Sequence, residues 1–372
     1  MLPIAEKPDL RSMQPEELAA LVEGLGEEPY RARQLFRWLH HKGAASLEEM
    51  TDLPRPFRER LAGAAGLTTL ALDLVQQSSD GTRKYRFQTG DGKLIESVYM
   101  PDADPDDEED GKRVRRTLCV STQVGCAMGC GFCLTATMGL VRNLTAGEIA
   151  DQVYRVNTDL RKLRIPNLDP QRPLTNLVYM GMGEPLHNYR NVKASLDLLL
   201  HEDGANFSHR HVTVSTSGLV PNILKLGEET QVKLAVSLNA TTDELRAKLM
   251  PVDKKWDLAA LIDACRKFPM KAGRRITFEY VLLGGVNDTD EDAQRLADLL
   301  AGLPAKVNLI PYNENPGLEF RDPGAERVEA FRRALERRGF AAMVRKNRGR
   351  DISAACGQLA VKDQRCSTPA AS

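Results

Sequence analysis

The stretch TLCVSTQVGCAMGCGFC, residues 117–133, runs from a β-branched, strand-forming segment straight into three cysteines spaced Cys-x3-Cys-x2-Cys. Further β-rich runs follow it: LTNLVYMG (174–181), HVTVSTSG (211–218), VKLAVSLN (232–239), RITFEYVLL (275–283), AKVNLIPYN (305–313) and AAMVRKN (341–347). Helical patterns separate them. Two of these, LTAGEIADQVYRVNTDLRKL (144–163) and TTDELRAKLM (241–250), open with Thr145 to Glu148 and Thr241 to Glu244 at capping-box spacing. Strand and helix in alternation predict an α/β protein with a parallel sheet. Six or seven such units suit a complete or partial barrel, and a doubly wound open sheet is the alternative, because counting repeats does not show closure.

Upstream the pattern changes. Residues 1–70 read as short helices, QPEELAALVEGLG (14–26), YRARQLFRWLHHK (30–42) and SLEEM (46–50), an accessory unit whose core is too small for chemistry of its own. Residues 71–116 hold the alternating runs KYRFQ (84–88) and LIESVYM (94–100) about Gly90-Asp91-Gly92, which predicts a β-hairpin extension. The acidic run DADPDDEEDG (102–111) reads as a solvated loop. The barrel core is expected over 117–350 and a carboxy-terminal segment over 351–372.

Composition narrows the class. The 372 residues are 42% hydrophobic, and 51 basic residues balance 51 acidic ones, so no global field draws the chain to nucleic acid and any RNA contact must come from local patches. No apolar run approaches the roughly 20 residues of a membrane span, and the start MLPIAEKPDL lacks a signal core, so a cytoplasmic protein is expected. Seven cysteines, three of them within residues 126–133, fit metal or redox chemistry in a reducing compartment better than a disulfide framework.

Cys126, Cys130 and Cys133 are interleaved with Gly125, Gly129 and Gly131, so the backbone can fold tightly around sulfur. Three thiolates can hold three irons of a cubane and leave the fourth iron open to a substrate. Structural zinc, with Cys119 as fourth ligand, is the bland alternative and would make the chain a non-catalytic RNA-binding module. Polar groups stand where strands end: Gly183 and Glu184, Ser215, Ser237 and Asn239, and Asn313. Carboxyl ends of parallel strands face one mouth, so these groups and the cysteine loop predict one site, although Ser or Asn after a strand is commonly a turn former. Cys265 occupies an apolar helical position and reads as core, and Cys366 lies in a polar tail with no role assigned.

With these motifs the chain resembles the RlmN/Cfr family of radical-SAM RNA adenosine methyltransferases. The likeness runs through YRARQLFRWLHHKG, LIESVYMP, GCAMGCGFCLTATMGLVRNLTAGEI, the strand ends and the tail RGRDISAACGQL. It implies a partial (β/α)6-type barrel, a 4Fe-4S cluster on Cys126, Cys130 and Cys133, and S-adenosylmethionine, two per turnover, at Gly183, Glu184, Ser215, Ser237, Leu238, Asn239 and Asn313. Asn239 departs from the histidine that the family pattern favours. The resemblance further implies Cys356 as methyl carrier, Glu96 as the base that deprotonates the adduct, and Cys119 as the thiol that resolves it through a transient disulfide. The cations Arg345, Lys346, Arg348 and Arg350 are expected to lower the Cys356 thiol pKa.

The implied substrates are carbon 2 of an adenosine in 23S rRNA and of the adenosine 3' of the anticodon in tRNA, with a reductant such as flavodoxin and a monomeric enzyme. The Cfr branch, which methylates carbon 8, is the alternative within the family. Arg31, Arg33 and Arg37 with Tyr30, Phe36 and Trp38, Lys112 to Arg116, and Arg345 to Arg350 are candidate RNA contacts. His209 and His211 read as surface residues or strand partners.

Overall fold

The computed structural model describes residues 7–101, 115–163, 165, 168–271, 273–315 and 317–361. The acidic run 102–111, residues 112–114 of one basic patch, and Cys366 lie outside them.

The accessory unit contains α1 (Pro15–Gly24), α2 (Tyr30–Arg37), which continues into a π-helical turn at Trp38–Lys42, and α3 (Arg55–Ala64). α1 starts on a capping box in which Glu17 returns its carboxylate to the Gln14 N–H at 2.8 Å. SLEEM is a turn, not the expected helix. Five residues cannot repay the cost of nucleation, and the Leu47 and Glu48 carbonyls accept from Arg58 on α3 instead. Leu18, Val22, Leu35, Leu39, Phe57 and Leu61 form a small separate core. That core is tied to the barrel by Arg11 and His40, both fully buried.

β1 (Ala71–Gln77), β2 (Arg83–Gln88) and β3 (Leu94–Pro101) make an antiparallel meander, one strand more than the predicted hairpin. β3 pairs antiparallel with β4 (Arg116–Cys119), Val98 opposite Cys119, so the meander is continuous with the main sheet. Then come β5 (Gln123–Gly125), the short α4 (Leu134–Thr137), β6 (Leu140–Asn143), α5 (Ala146–Lys162), β7 (Asn176–Tyr179), α6 (Tyr189–Leu200), β8 (Val212–Thr216), α7 (Val220–Glu229) and β9 (Lys233–Ser237). The chain continues through α8 (Asp243–Leu249), α9 (Leu258–Lys267), β10 (Ile276–Leu282), α10 (Asp290–Leu299), β11 (Ala305–Pro311), α11 (Ala325–Arg337) and β12 (Ala341–Val344). Thr145 caps α5 in the predicted box, but α8 is capped one residue later than predicted. Thr242 accepts from Leu245 N–H, while the Thr241 hydroxyl is drawn to Asp292 at 3.0 Å.

Every predicted strand of the core forms. Among the described residues they stand in the order β4-β7-β8-β9-β10-β11-β12, each parallel to the next. A doubly wound sheet reverses its order at a switch point, and this one never does. β12 and β1 are the two ends of the sheet, so the wall is a partial barrel and not a closed one. The gap between β12 and the meander is bridged by the tail. Gly349 N–H donates to Asp80 at 2.9 Å, Ser79 N–H to Asp351 at 3.1 Å, and Arg348 to the Pro101 carbonyl at 2.7 Å.

Candidate active site

The cysteine loop hangs between β5 and α4. Gly125 and Gly129 hold φ of +74° and +68°, the left-handed region that glycine enters without strain. At Gly125 an added Cβ would stand 1.8 Å from the Gly139 carbonyl oxygen, the acceptor for Cys126 N–H at 2.9 Å. Gly125→Ala is therefore expected to open the loop. Iron bound per chain after anaerobic reconstitution should fall severalfold while the barrel still melts cooperatively, and wild-type iron content in the variant would contradict this reading.

Cys126, Cys130 and Cys133 line one cavity, and burial pushes the Cys126 thiol up to about 12. Cys130 is raised by burial first and then by Cys133 and Cys126, which places the three sulfurs in one another's field. Such thiols ionise only with a metal to compensate them. Among the described residues no three of His, Cys, Asp and Glu gather as ligands of a single ion, and Cys119 lies apart on β4. The four-thiolate zinc site is thus not formed, whereas three loop thiols around a shared cavity suit a larger cluster.

The strand-end groups meet at the same cavity: Gly183, Glu184, Ser215, Ser237, Asn239 and Asn313 all line it. Gly183 holds φ +98°, and a Cβ there would lie 2.5 Å from Gln123, so the backbone approaches bare. Glu184 is buried, with its carboxylate accepting Leu186 N–H at 3.0 Å and Ser217 N–H at 2.8 Å. Burial raises its pKa against those two donors. Asn313 Oδ1 is buried without a hydrogen-bond partner, an acceptor that a polar ligand in the cavity could satisfy. Asn239 sits at φ +57°, a conformation asparagine tolerates better than most residues. Its Oδ1 accepts Val281 N–H at 2.8 Å. Leu238 differs: its side chain is wholly buried in the main core, its N–H donates to Glu279 O, and its carbonyl accepts from Arg246.

Cys356 comes to this cavity from the tail, and Arg345 Nη1 donates to its sulfur at 2.9 Å. The expected fall in its pKa does not occur. Burial raises it and outweighs Arg345, while Arg348 is spent on Pro101 O and Arg350 pairs with Asp322. Cys119 is raised to about 12 by burial and next by Cys356, with Arg345 opposing, so the two thiols lie in one another's field. Glu96 is 4% exposed on β3, outside the cavity lining, its pKa raised by burial against Lys84. Glu279, on the same strand as Phe278 and Tyr280, was missed by the sequence reading. It lines the cavity and accepts from Ser215 Oγ at 2.6 Å and Ser237 Oγ at 3.4 Å. A carboxylate inside the apolar run RITFEYVLL was the available signal.

Residues 8–67 match the ribosomal RNA large subunit methyltransferase N-terminal domain, and residues 120–300 match the radical SAM superfamily. The dual-specificity RNA methyltransferase RlmN of Anaeromyxobacter dehalogenans is 64% identical over 96% of this chain and 93% of its own length. The chain belongs to the RlmN family. RlmN of Geobacter sulfurreducens is 50% identical over 94% of this chain and 91% of its own. The crystal structure of a radical SAM methyltransferase from Sphaerobacter thermophilus covers 95% of this chain and 99% of its own at 47% identity, with a TM-score of 0.86. Cys265, as expected, is core in this RlmN-family fold. His209 and His211 lie in a short 3-10 turn before β8, partly exposed. Two cations of the amino-terminal patch are engaged within the protein, Arg33 with Asp203 at 2.8 Å and Arg31 over the Tyr30 ring, and Lys42 beside the patch lies over the Trp38 ring.

Proposed function

We propose that this RlmN-family radical-SAM RNA methyltransferase places a methyl group on carbon 2 of an adenosine in 23S rRNA, at the peptidyl transferase centre, and on the adenosine 3' of the anticodon in tRNA. The observation that carries the reading is the meeting of Cys356 with the three loop thiols at one cavity, with Cys119 beside it. Cys126, Cys130 and Cys133 would hold a 4Fe-4S cluster, and Gly183, Glu184, Ser215, Ser237, Leu238, Asn239 and Asn313 would hold S-adenosylmethionine. Reduced by a donor such as flavodoxin, and using two molecules of S-adenosylmethionine per turnover, the bound pair supplies a methyl group and the one-electron chemistry that removes a hydrogen atom from it.

The rest falls to the protein. Carbon 2 of adenine lies between two ring nitrogens and offers no electron pair to a sulfonium, but a carbon radical can add there. Cys356 carries the one-carbon unit on a sulfur that Arg345 holds at the cavity. Addition to the base joins protein and RNA through a thioether and leaves one unpaired electron on the ring, which the one-electron chemistry of the bound cluster would take back. Glu96 takes the proton from the base carbon. Cys119 attacks the Cys356 sulfur: an S–S bond forms, the C–S bond breaks, and its electron pair is protonated to leave the methyl group. External thiols then reduce the disulfide, as the cytoplasm permits. The accessory unit serves RNA recognition, and a flipped-out base enters the mouth. The enzyme acts as a monomer.

Intact-mass analysis of anaerobically purified protein tests this directly. The expected result is a fraction heavier by one CH2 unit, mapped to Cys356, and substrate RNA whose digested nucleosides carry the methyl on carbon 2. An unmodified Cys356, or a methyl on carbon 8, would overturn it.

A further inference from the structure

Lys84 has no part in the scheme above, yet it is only 8% exposed, and a buried ammonium needs a partner. Strand register shows what it faces. Lys84 and Cys119 both stand opposite Val98, and Glu96 is two residues from Val98 on the same strand, so all three project from one face of the sheet. The tail covers that face. Lys84 Nζ lies 3.5 Å from Glu96 Oε1 and donates to the Ser353 carbonyl at 3.2 Å, while Ala360 N–H approaches the same carboxylate. Residues 353 and 360 flank Cys356. Among the described residues Arg86 is the other cation acting on Glu96, and it is already paired with Asp73. Ser121, with its hydroxyl on the Glu96 carbonyl, and Met182, with its sulfur on the Glu96 N–H, bring no charge.

We propose that Lys84 is a positioning residue for both halves of the chemistry: one ammonium holds the Glu96 carboxylate and pins Ser353 so that Cys356 rests at the cavity. The proposal rests on the reading of Glu96 as the base. Burial drives that carboxyl toward its neutral form and Lys84 is the principal opposing influence, so without Lys84 the base would be protonated, and idle, over a wider range of pH.

The test uses full-length reconstituted enzyme, with Lys84→Met and Lys84→Arg assayed for RNA methylation across pH. For Lys84→Met the acid limb of the rate profile should move to higher pH by a unit or more, a loss of about tenfold near neutrality that alkali partly restores. Lys84→Arg should keep the wild-type profile. Amide exchange over 353–361 should quicken in Lys84→Met and recover in Lys84→Arg. A wild-type pH profile in Lys84→Met overturns the proposal, whatever its rate. If Lys84→Met does not fold, the double variant with Glu96→Gln decides. A folded double variant supports the pair, and an unfolded one makes Lys84 a packing residue and overturns it. Failure of the underlying reading looks different: Glu96→Gln alone would then methylate RNA normally.

Discussion

Cys119→Ala is expected to turn the enzyme into a trap. Given RNA, S-adenosylmethionine and a reductant, it should accumulate protein covalently joined to RNA, at most one adduct per chain, with multiple turnover reduced by more than about 100-fold, the scale of losing a group that acts in the chemical step. Cys356→Ala should form neither adduct nor methylated base. The asymmetry follows from placement. Cys356 stands at the cavity and Cys119 does not, but Cys119 lies behind it on β4, within the field of the same Arg345. In the proposed scheme that thiol acts on the sulfur of Cys356 and not on the base. Denaturing gels of labelled RNA and nucleoside mass spectrometry read both outcomes, and a Cys119→Ala enzyme that turns over freely without adduct would discard the two-thiol scheme.

Asp151→Ala should give the largest loss of stability outside the site. Asp151 is fully buried on α5, its Oδ2 accepts Leu70 N–H at 2.7 Å, and Oδ1 lies 3.4 Å from Arg11 and 3.3 Å from Arg155. Arg11 is itself fully buried, donating to the Leu39 and Ala44 carbonyls at 2.5 Å, and cannot leave without unseating the accessory unit. Removing the carboxylate strands that guanidinium without a counter-charge, at a cost of about 3–5 kcal/mol. Urea unfolding of wild type and variant measures it. Asp151→Asn, which keeps an acceptor, should cost less, and a change within error in Asp151→Ala would refute the argument.

Every core strand was legible because β-branched runs bounded by Gly, Asn and Pro recur with helical patterns between them, and parallel order follows from that alternation. The cysteine loop and the strand-end groups were legible for a similar reason, since a parallel sheet sends all its carboxyl ends to one side. What escaped depended on neighbours far along the chain. α3 starts at a Pro-Arg-Pro step and is rich in arginine, where period alone is a weak signal, and β1 is a largely exposed edge strand. The pKa of Cys356 was misjudged because sequence counts nearby cations but not which of them bond elsewhere, nor how deep the thiol is buried. Glu279 and Lys84 owe their importance to cross-strand and tail contacts that no local window contains.

The strap across the gap between β12 and the meander has a consequence for engineering. A sulfur on a strand would be locked to the rigid sheet, whereas the proposed carrier, Cys356, rides on contacts such as Leu134 N–H to Gly357 O at 2.8 Å and Gly349 N–H to the Asp80 carboxylate. Ala354 and Leu359 seat this span in the main core, so substitutions at its exposed positions Arg350 and Asp351 should alter how the sulfur moves while leaving the scaffold's melting point nearly untouched. That makes this short span the natural place to retune turnover without redesigning the barrel.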